Sequence, residues 1–331
     1  MTEPEDIARA VALLRAGRLV AFPTETVYGL GADASQPDAI ARLYRVKGRE
    51  ATHPVIVHGD SADVAFGWAA EVPAAARRLA ERFWPGPLTL VLKGAARAGR
   101  YLTGGQDSIG LRVPSHPVAL ALLAAFREAA AGGGGPSGIA APSANRSGRI
   151  SPTTALHVRI ELGDDVDCVL EGGASEVGIE STIVDLSRGR AVVLRPGHVS
   201  VEALAEALGE PVVVAGAEPG DAPGDTPRAP GSHTRHYAPR TPARLVAPHA
   251  LDAEIARYGA RAAVLAFSRP DERSDYWLRM PAGPQDYARK LYGALRELDE
   301  AGCDVILIES PPEGAQWVAV RDRLRRASAE A

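Results

Sequence analysis

Ile7, Val11 and Leu14 recur at helical spacing through residues 4–16, with polar positions between them and Gly17 behind. That pattern predicts an amphipathic opening helix with a glycine C-cap. RLVAF (18–22) breaks the period and predicts a strand. Ile40, Leu43 and Val46 restore it in a helix that begins near Ser35, carries Pro37 just inside its start and stops at Gly48. Strands are then predicted over PVIVH (54–58), LTLVLKG (88–94) and SIGLRVP (108–114), with helices over 73–83 and 116–130. GGGGPSG (132–138) predicts a flexible insert before the strand GIAAPSAN. Residues 153–162 and 200–208 predict helices, and CVLEG, STIVDL and AVVLRPG predict strands. Helices and strands alternate irregularly, with several strands close together. The fold class expected is α/β, a twisted mixed β-sheet with flanking helices rather than a regular doubly wound order.

Residues 209–242 are rich in Pro, Gly and Asp, a linker by composition. Their end, SHTRHYAP, is too aromatic and basic for a plain spacer. Beyond it ARLVAP, RAAVLAF and CDVILIES predict three strands, with helices near 250–258 and 284–301 and a basic amphipathic helix over 315–328. This predicts a small Rossmann-like α/β domain. The expected organisation is residues 1–208, a linker over 209–242, and residues 243–331.

Of the 331 residues, 46% are hydrophobic and 24% charged, and the formal net charge is −4. No global basic field recruits nucleic acid. Cys168 and Cys303 both sit in apolar strand-like runs and read as buried free thiols, suited to a reducing cytoplasm, with no zinc-ligand spacing. The N-terminus lacks a signal-peptide hydrophobic region, and no apolar run is long enough to span a membrane. The expectation is a cytoplasmic protein without membrane contact.

Five groups carry candidate chemistry. Thr24, Glu25, Thr26 and Tyr28 end a strand, where they either cap a turn or grip a small polar ligand. Lys47, Arg49, His53 and His58 cluster around a helix end and the next strand, as helix-end charge or as an anion site. Arg112 lies inside an apolar strand and needs a partner, either an internal carboxylate or a ligand carboxylate. Ser108 starts that strand. Ser143, Asn145, Ser147 and Ser151 occupy a small-residue loop that ends in a helix start at Ser151-Pro152, an N-cap or a phosphate-lining loop. Ser181, Thr182 and Arg195 lie at strand ends, and RDRLRR (321–326) reads as a solvated basic helix face. No P-loop, nucleophile–base order or HExxH motif appears. The recurring theme is hydroxyls, arginines and glycine backbone around anions, which fits phosphate chemistry done by positioning and electrostatics.

The ordered set PTETVYGLG, KGR, HPVIVH, FWPGPLTLVL, LRVPSHPVA, AAPSANRSG, SPTTA, GIESTIVD and LRPG resembles the YrdC-type domain of threonylcarbamoyl-AMP synthases over about residues 7–208. HYAP and the domain after it resemble the long, two-domain form of that family. The resemblance implies condensation of L-threonine, bicarbonate or CO2, and ATP to threonylcarbamoyl-AMP and pyrophosphate, with Mg²⁺ accompanying the ATP. It implies a downstream tRNA threonylcarbamoyl transferase complex as partner, with at most transient RNA contact. Carried over by motif, Thr26, His58, Arg112, Ala141 and Ser181 surround threonine, with Arg112 as carboxylate clamp. Arg49, His53, Ser108, Ser143, Ser151 and Arg195 line the ATP site, with Lys47 and Asn145 adjacent; Lys47 and Arg49 stabilise charge. Tyr237 covers the nucleotide, which makes the linker a lid. Tyr28 packs at the pocket's edge and Glu25 braces the loop. No protein side chain is expected to hold metal. Glu50 after KGR and APGSHTR before HYAP depart from the family pattern, which bears on lid contacts from Ser232 to Arg235. Two other readings stand beside this one: a carbamoyl-AMP-forming domain and an RNA-binding YrdC-like factor.

Overall fold

The computed structural model describes residues 2–130, 137–216, 226–231, 234–270 and 274–329; the glycine run at 132–135, and Ser232 and His233 of the linker, lie outside them. The chain begins with α1 (Pro4–Arg15), β1 (Val20–Phe22), β2 (Gly29–Asp33), α2 (Pro37–Lys47), β3 (Ile56–His58), α3 (Ala62–Phe66), α4 (Ala74–Phe83) and β4 (Leu88–Lys93). It continues through α5 (Arg100–Thr103), β5 (Ser108–Arg112), α6 (Pro117–Ala130), β6 (Ile139–Ala140), α7 (Ala155–Leu162), β7 (Cys168–Val169), β8 (Thr182–Asp185), β9 (Val192–Arg195), α8 (Val201–Leu208) and β10 (Val213–Val214). These strands form one mixed ten-stranded sheet in the order β10-β9-β8-β4-β5-β3-β6-β2-β1-β7. After the connecting segment come β11 (Ala243–Val246), α9 (Leu251–Tyr258), β12 (Ala262–Ala266), β13 (Tyr276–Arg279), α10 (Pro284–Asp299), β14 (Val305–Glu309) and α11 (Val318–Ala327). Their four strands are all parallel, ordered β11-β14-β12-β13.

Local chemistry sets the element ends. In α2, Pro37 opens the first turn and Gly48 closes the last at φ 59°, a left-handed cap. Strand β2 was not expected, because GLGAD lacks both β-branched residues and alternation. It exists because the neighbours come too close for side chains: a Cβ on Gly31 would lie 2.9 Å from Ile139 and Phe22 atoms. The Pro/Gly-rich setting of 209–242 likewise hid β10, which pairs with β9. Strand β13 is a half-exposed edge with no apolar alternation to betray it.

Four expectations need correction. Helix α7 starts at Ala155, not at Ser151-Pro152; its N-cap is Thr154, whose hydroxyl accepts from the His157 N–H at 3.2 Å. The closing helix is preceded by a 3-10 turn over Ala315–Trp317. It is not a uniformly solvated basic face, because Arg323 is fully buried and the buried Asp322 accepts from Arg325 and Arg326. Cys168 and Cys303 are free but only half-buried.

Alternation along the central strands separates two faces. Val55 and Val57, Leu88, Leu90 and Leu92, Ile109 and Leu111, and Val184 enter the main core with Ile40, Leu43, Trp68 and Leu79. The intervening Ile56 and His58, Thr89 and Val91, Gly110 and Arg112, and Ile183 face the other way. There the connecting segment supplies the cover: Ala229 packs on Ile56, Val91 and Ile183. The site sits on this face.

Candidate functional site

His58 and Arg112 end neighbouring parallel strands and are direct partners in register. Ser181 immediately precedes β8, which runs beside β4. A register shift between Ile183 and Val184 places Arg195 opposite Ile183 while Val193 stays opposite Val184. The extra residue, Leu194, turns Arg195 to the site face; without the bulge the alternation would send it to the core. The turn after α2 brings in Lys47 and Arg49, and the loop after β6, bridged at Ser143 to Gly29, brings in Ala141 to Asn145.

Together they enclose a cavity of about 60 Å³ lined by Thr26, Val27, Lys47, Arg49, Ile56, His58, Arg112, Ala141, Ser143, Asn145, Ser147, Glu180, Ser181, Arg195, Pro230, Gly231, His236 and Tyr237. Open grooves of about 590 and 640 Å³ beside α11 and β7 collect none of the expected site residues.

The hydrogen bonds show which groups are committed. The Thr24 hydroxyl donates its one proton to the Val27 carbonyl at 2.6 Å, so the Thr26 hydroxyl, 2.8 Å away, donates to Thr24. That leaves the Thr26 oxygen as an acceptor at the cavity. Arg112 donates from Nη2 to Glu25 at 2.6 Å and from Nε to the Gly86 carbonyl at 3.3 Å. The internal-carboxylate reading of Arg112 therefore holds, and Glu25 braces the arginine directly. Lys47 Nζ donates to the carbonyls of Ser143 at 2.6 Å and Asn145 at 2.5 Å, holding that loop. Arg195 donates to the Ser181 carbonyl and hydroxyl, and from Nη1 to the Pro230 carbonyl of the connecting segment at 3.0 Å.

Burial shapes the charges. It pushes the Lys47 pKa well below its ordinary value, with Arg49 adding to the effect. Burial beside Arg112 drives His58 down to about 3, so its imidazole is neutral near pH 7. Burial alone would raise Glu180, but Arg323, Arg195 and the hydrogen bonds from Ser151 and Arg323 outweigh it and hold the carboxyl at about 2. His58 Nδ1, Asn145 Oδ1 and the Tyr237 hydroxyl are buried at the cavity without hydrogen-bond partners. Buried orphans of this kind call for an external partner.

The structure thus brings together Thr26, Lys47, Arg49, His58, Arg112, Ala141, Ser143, Asn145, Ser181, Arg195 and Tyr237. It leaves out of the lining His53, Ser108, Ser151 and Tyr28. Ser108 lies in an adjoining hollow with Gln106 and Arg228, which shares Ile56 and Pro230 with the cavity; its hydroxyl is buried and unpartnered. The Ser151 hydroxyl donates to Glu180 at 2.6 Å. Tyr28 is a core residue, its hydroxyl tied to Gly172 and Gly173, not a residue at the pocket's edge. Sequence reasoning missed Glu180, although GIES stands in a quoted motif. It also missed Tyr292, and it read Arg323 only as part of the solvated face RDRLRR. Among the described residues no group of three or more His, Cys, Asp or Glu could hold a metal ion. No described helix is long and apolar enough to cross a membrane.

Residues 12–197 match the Sua5/YciO/YrdC family model, described as telomere recombination, and residues 199–329 match the C-terminal domain of threonylcarbamoyl-AMP synthase. The threonylcarbamoyl-AMP synthase of Pyrococcus abyssi is 39% identical, over 96% of this chain and 93% of its own. That of Bacillus subtilis is 38% identical, over 99% and 94%. The crystal structure of P. abyssi Sua5 complexed with L-threonine matches with a TM-score of 0.88 at 38% identity, covering 98% of this chain and 95% of that one.

Proposed function

The chain belongs to the threonylcarbamoyl-AMP synthase family, and from that premise we propose that its cavity condenses L-threonine, bicarbonate or CO2, and ATP into threonylcarbamoyl-AMP and pyrophosphate. The observation that carries the reading is a cavity ringed by Lys47, Arg49, Arg112 and Arg195 in which three polar atoms are buried without partners. Such a site binds anions and hydrogen-bonding groups, and its described residues include no nucleophile paired with a base.

Threonine lies against Thr26, His58, Arg112, Ala141 and Ser181. The Arg112 Nη1 takes its carboxylate while Glu25 keeps Nη2, and the Thr26 oxygen accepts from its ammonium or hydroxyl. His58, with a pKa near 3, acts as a neutral hydrogen-bond partner and not as a proton donor of the acid–base kind. The threonine amine and bicarbonate give a carbamate with loss of water. A carbamate oxygen attacks the α-phosphorus and pyrophosphate leaves, a nucleotidyl transfer assisted by Arg49, Arg195 and the loop from Ser143 to Asn145.

The cavity measures about 60 Å³. It is far below the roughly 300 Å³ or more of ordinary ligand pockets. ATP therefore enters when residues 228–231 and 236–237 move aside. That motion frees Arg195 Nη1 from Pro230 for a phosphate oxygen and joins the cavity to the Ser108 hollow, beside which His53 stands. Ser151 acts through Glu180. Residues 209–242 serve as linker and lid between units 1–208 and 243–331. Magnesium enters as part of the MgATP substrate, because Glu180, the one lining carboxylate among the described residues, is already fully bonded. The product serves a transferase that modifies adenosine next to the tRNA anticodon.

The test is pyrophosphate release with each substrate omitted in turn. Release that requires threonine, bicarbonate and ATP is expected. Turnover indifferent to threonine would favour the carbamoyl-AMP reading, and tight RNA binding without ATP use would favour the RNA-binding one.

A further inference from the structure

Behind Glu180 and Tyr237, which line the cavity, stand side chains from α10 and α11. Arg323, fully buried, donates from Nε to Glu180 Oε2 at 2.8 Å and from Nη1 to the Pro196 carbonyl and Asp322. Its Cζ lies 5.2 Å from the centre of the Tyr237 ring. Tyr292, also fully buried, donates to the Glu180 carboxylate at 2.9 Å, and its ring stacks on Tyr237 with centroids 5.8 Å apart and planes 28° from parallel. One carboxylate thus orients both groups that hold the Tyr237 ring.

Tyr237 itself sits at φ 60°, the one described non-glycine residue with positive φ. That conformation is costly for a bulky side chain and persists only where its surroundings over-determine it. Its hydroxyl supplies no anchor, being without a partner. Its neighbours are tied by the backbone, Ala238 to Gly148 and His236 to Arg326, and the ring itself is held by the cation over its face and the stacked ring beside it, both from the four-stranded unit.

We propose that Arg323 and Tyr292 are positioning residues for the nucleotide step: oriented by Glu180, they hold Tyr237 in its closed pose, so that the four-stranded unit acts on catalysis by setting the lid. The inference rests on the reading of the cavity as an ATP-dependent synthase site. It gives the second unit a role in ATP use and leaves the threonine carboxylate to the Arg112–Glu25 pair, which shares no hydrogen bond with Glu180, Arg323 or Tyr292 among the described residues.

The experiment is a cycle of Arg323→Met and Tyr237→Ala, singly and together, in the full-length chain, read by pyrophosphate release and by calorimetric threonine binding. Each single variant is expected to raise the KM for ATP roughly tenfold, the scale of one truncated, desolvated anchor. The double variant should do no worse than Tyr237→Ala alone, and threonine affinity should stay unchanged. Effects that multiply in the double variant, or a loss of threonine binding on Arg323→Met, would overturn the proposal. Should Arg323→Met not fold, Tyr292→Leu takes its place in the same cycle with the same expectations. Failure of the synthase reading itself would show separately, as unaltered protein that releases no pyrophosphate in a threonine-dependent way.

Discussion

Arg112 donates to Glu25 at 2.6 Å, with the two side chains only 5% and 6% exposed. Glu25 also accepts from the Ser115 N–H at 3.1 Å, which fixes the carboxylate from the far side. The arginine enters the cavity already oriented, with Nη1 alone uncommitted among the described residues. Arg112→Ala should weaken threonine binding by roughly tenfold or more, as expected for loss of a charge-assisted contact. It should also lower stability by about 3–5 kcal/mol, because Glu25 is left buried and unpaired. Arg112→Lys should recover much of the stability and little of the affinity. Calorimetry and thermal melts separate the two; loss of ATP binding with threonine binding intact would sink the clamp assignment.

His58 governs part of the acid sensitivity. Its pKa falls from 6.5 to about 3 on folding, so below pH 6.5 the unfolded chain takes up a proton that the folded chain refuses. Stability is then lost as pH falls from 6.5 toward 3, by about 1.4 kcal/mol per pH unit. Glu180, held near 2, adds loss of the same sign below its ordinary pKa of 4.5, and His157, held near 4, does so below 6.5. Denaturant melts of His58→Gln should show a shallower decline between pH 6.5 and 5. An unchanged slope would refute the assignment.

Gly231 limits the lid. It sits at φ 83°, and a Cβ there would lie 2.3 Å from the Tyr237 hydroxyl oxygen. Gly231→Ala should raise the KM for ATP by displacing that ring. Adding Tyr237→Phe, which removes the obstructing oxygen, should restore part of the loss. No restoration would mean that backbone strain at 231 alone is responsible.

The Ser108 hydroxyl is buried without a partner. Removing such a group relieves a desolvation cost. Ser108→Ala should therefore melt at the same or a higher temperature while its KM for ATP rises. A fall in melting temperature with normal kinetics would place the serine in the fold and not in the site.

Much was legible in sequence because it was encoded locally. The apolar runs PVIVH, LTLVLKG and SIGLRVP marked three strands, and the α2 start and stop were written in Pro37 and Gly48. Motif order named Thr26, His58, Arg112, Ser181 and Arg195, which the fold brings to one cavity. Partnerships were a different matter. Arg112 meets Glu25 from 87 residues away, and Arg323 meets Glu180 from 143 away. No local pattern distinguishes a buried arginine awaiting a ligand from one already paired, or a basic helix facing water from one whose central arginine is buried on a carboxylate. Those outcomes depend on which surfaces meet, and on a single-residue bulge at Leu194 that turns Arg195 toward the site. The sequence by itself determined the principal helices, the longer strands and the family. Only the tertiary structure decided which charges neutralise one another, because long-range pairing and desolvation act on the folded chain as a whole.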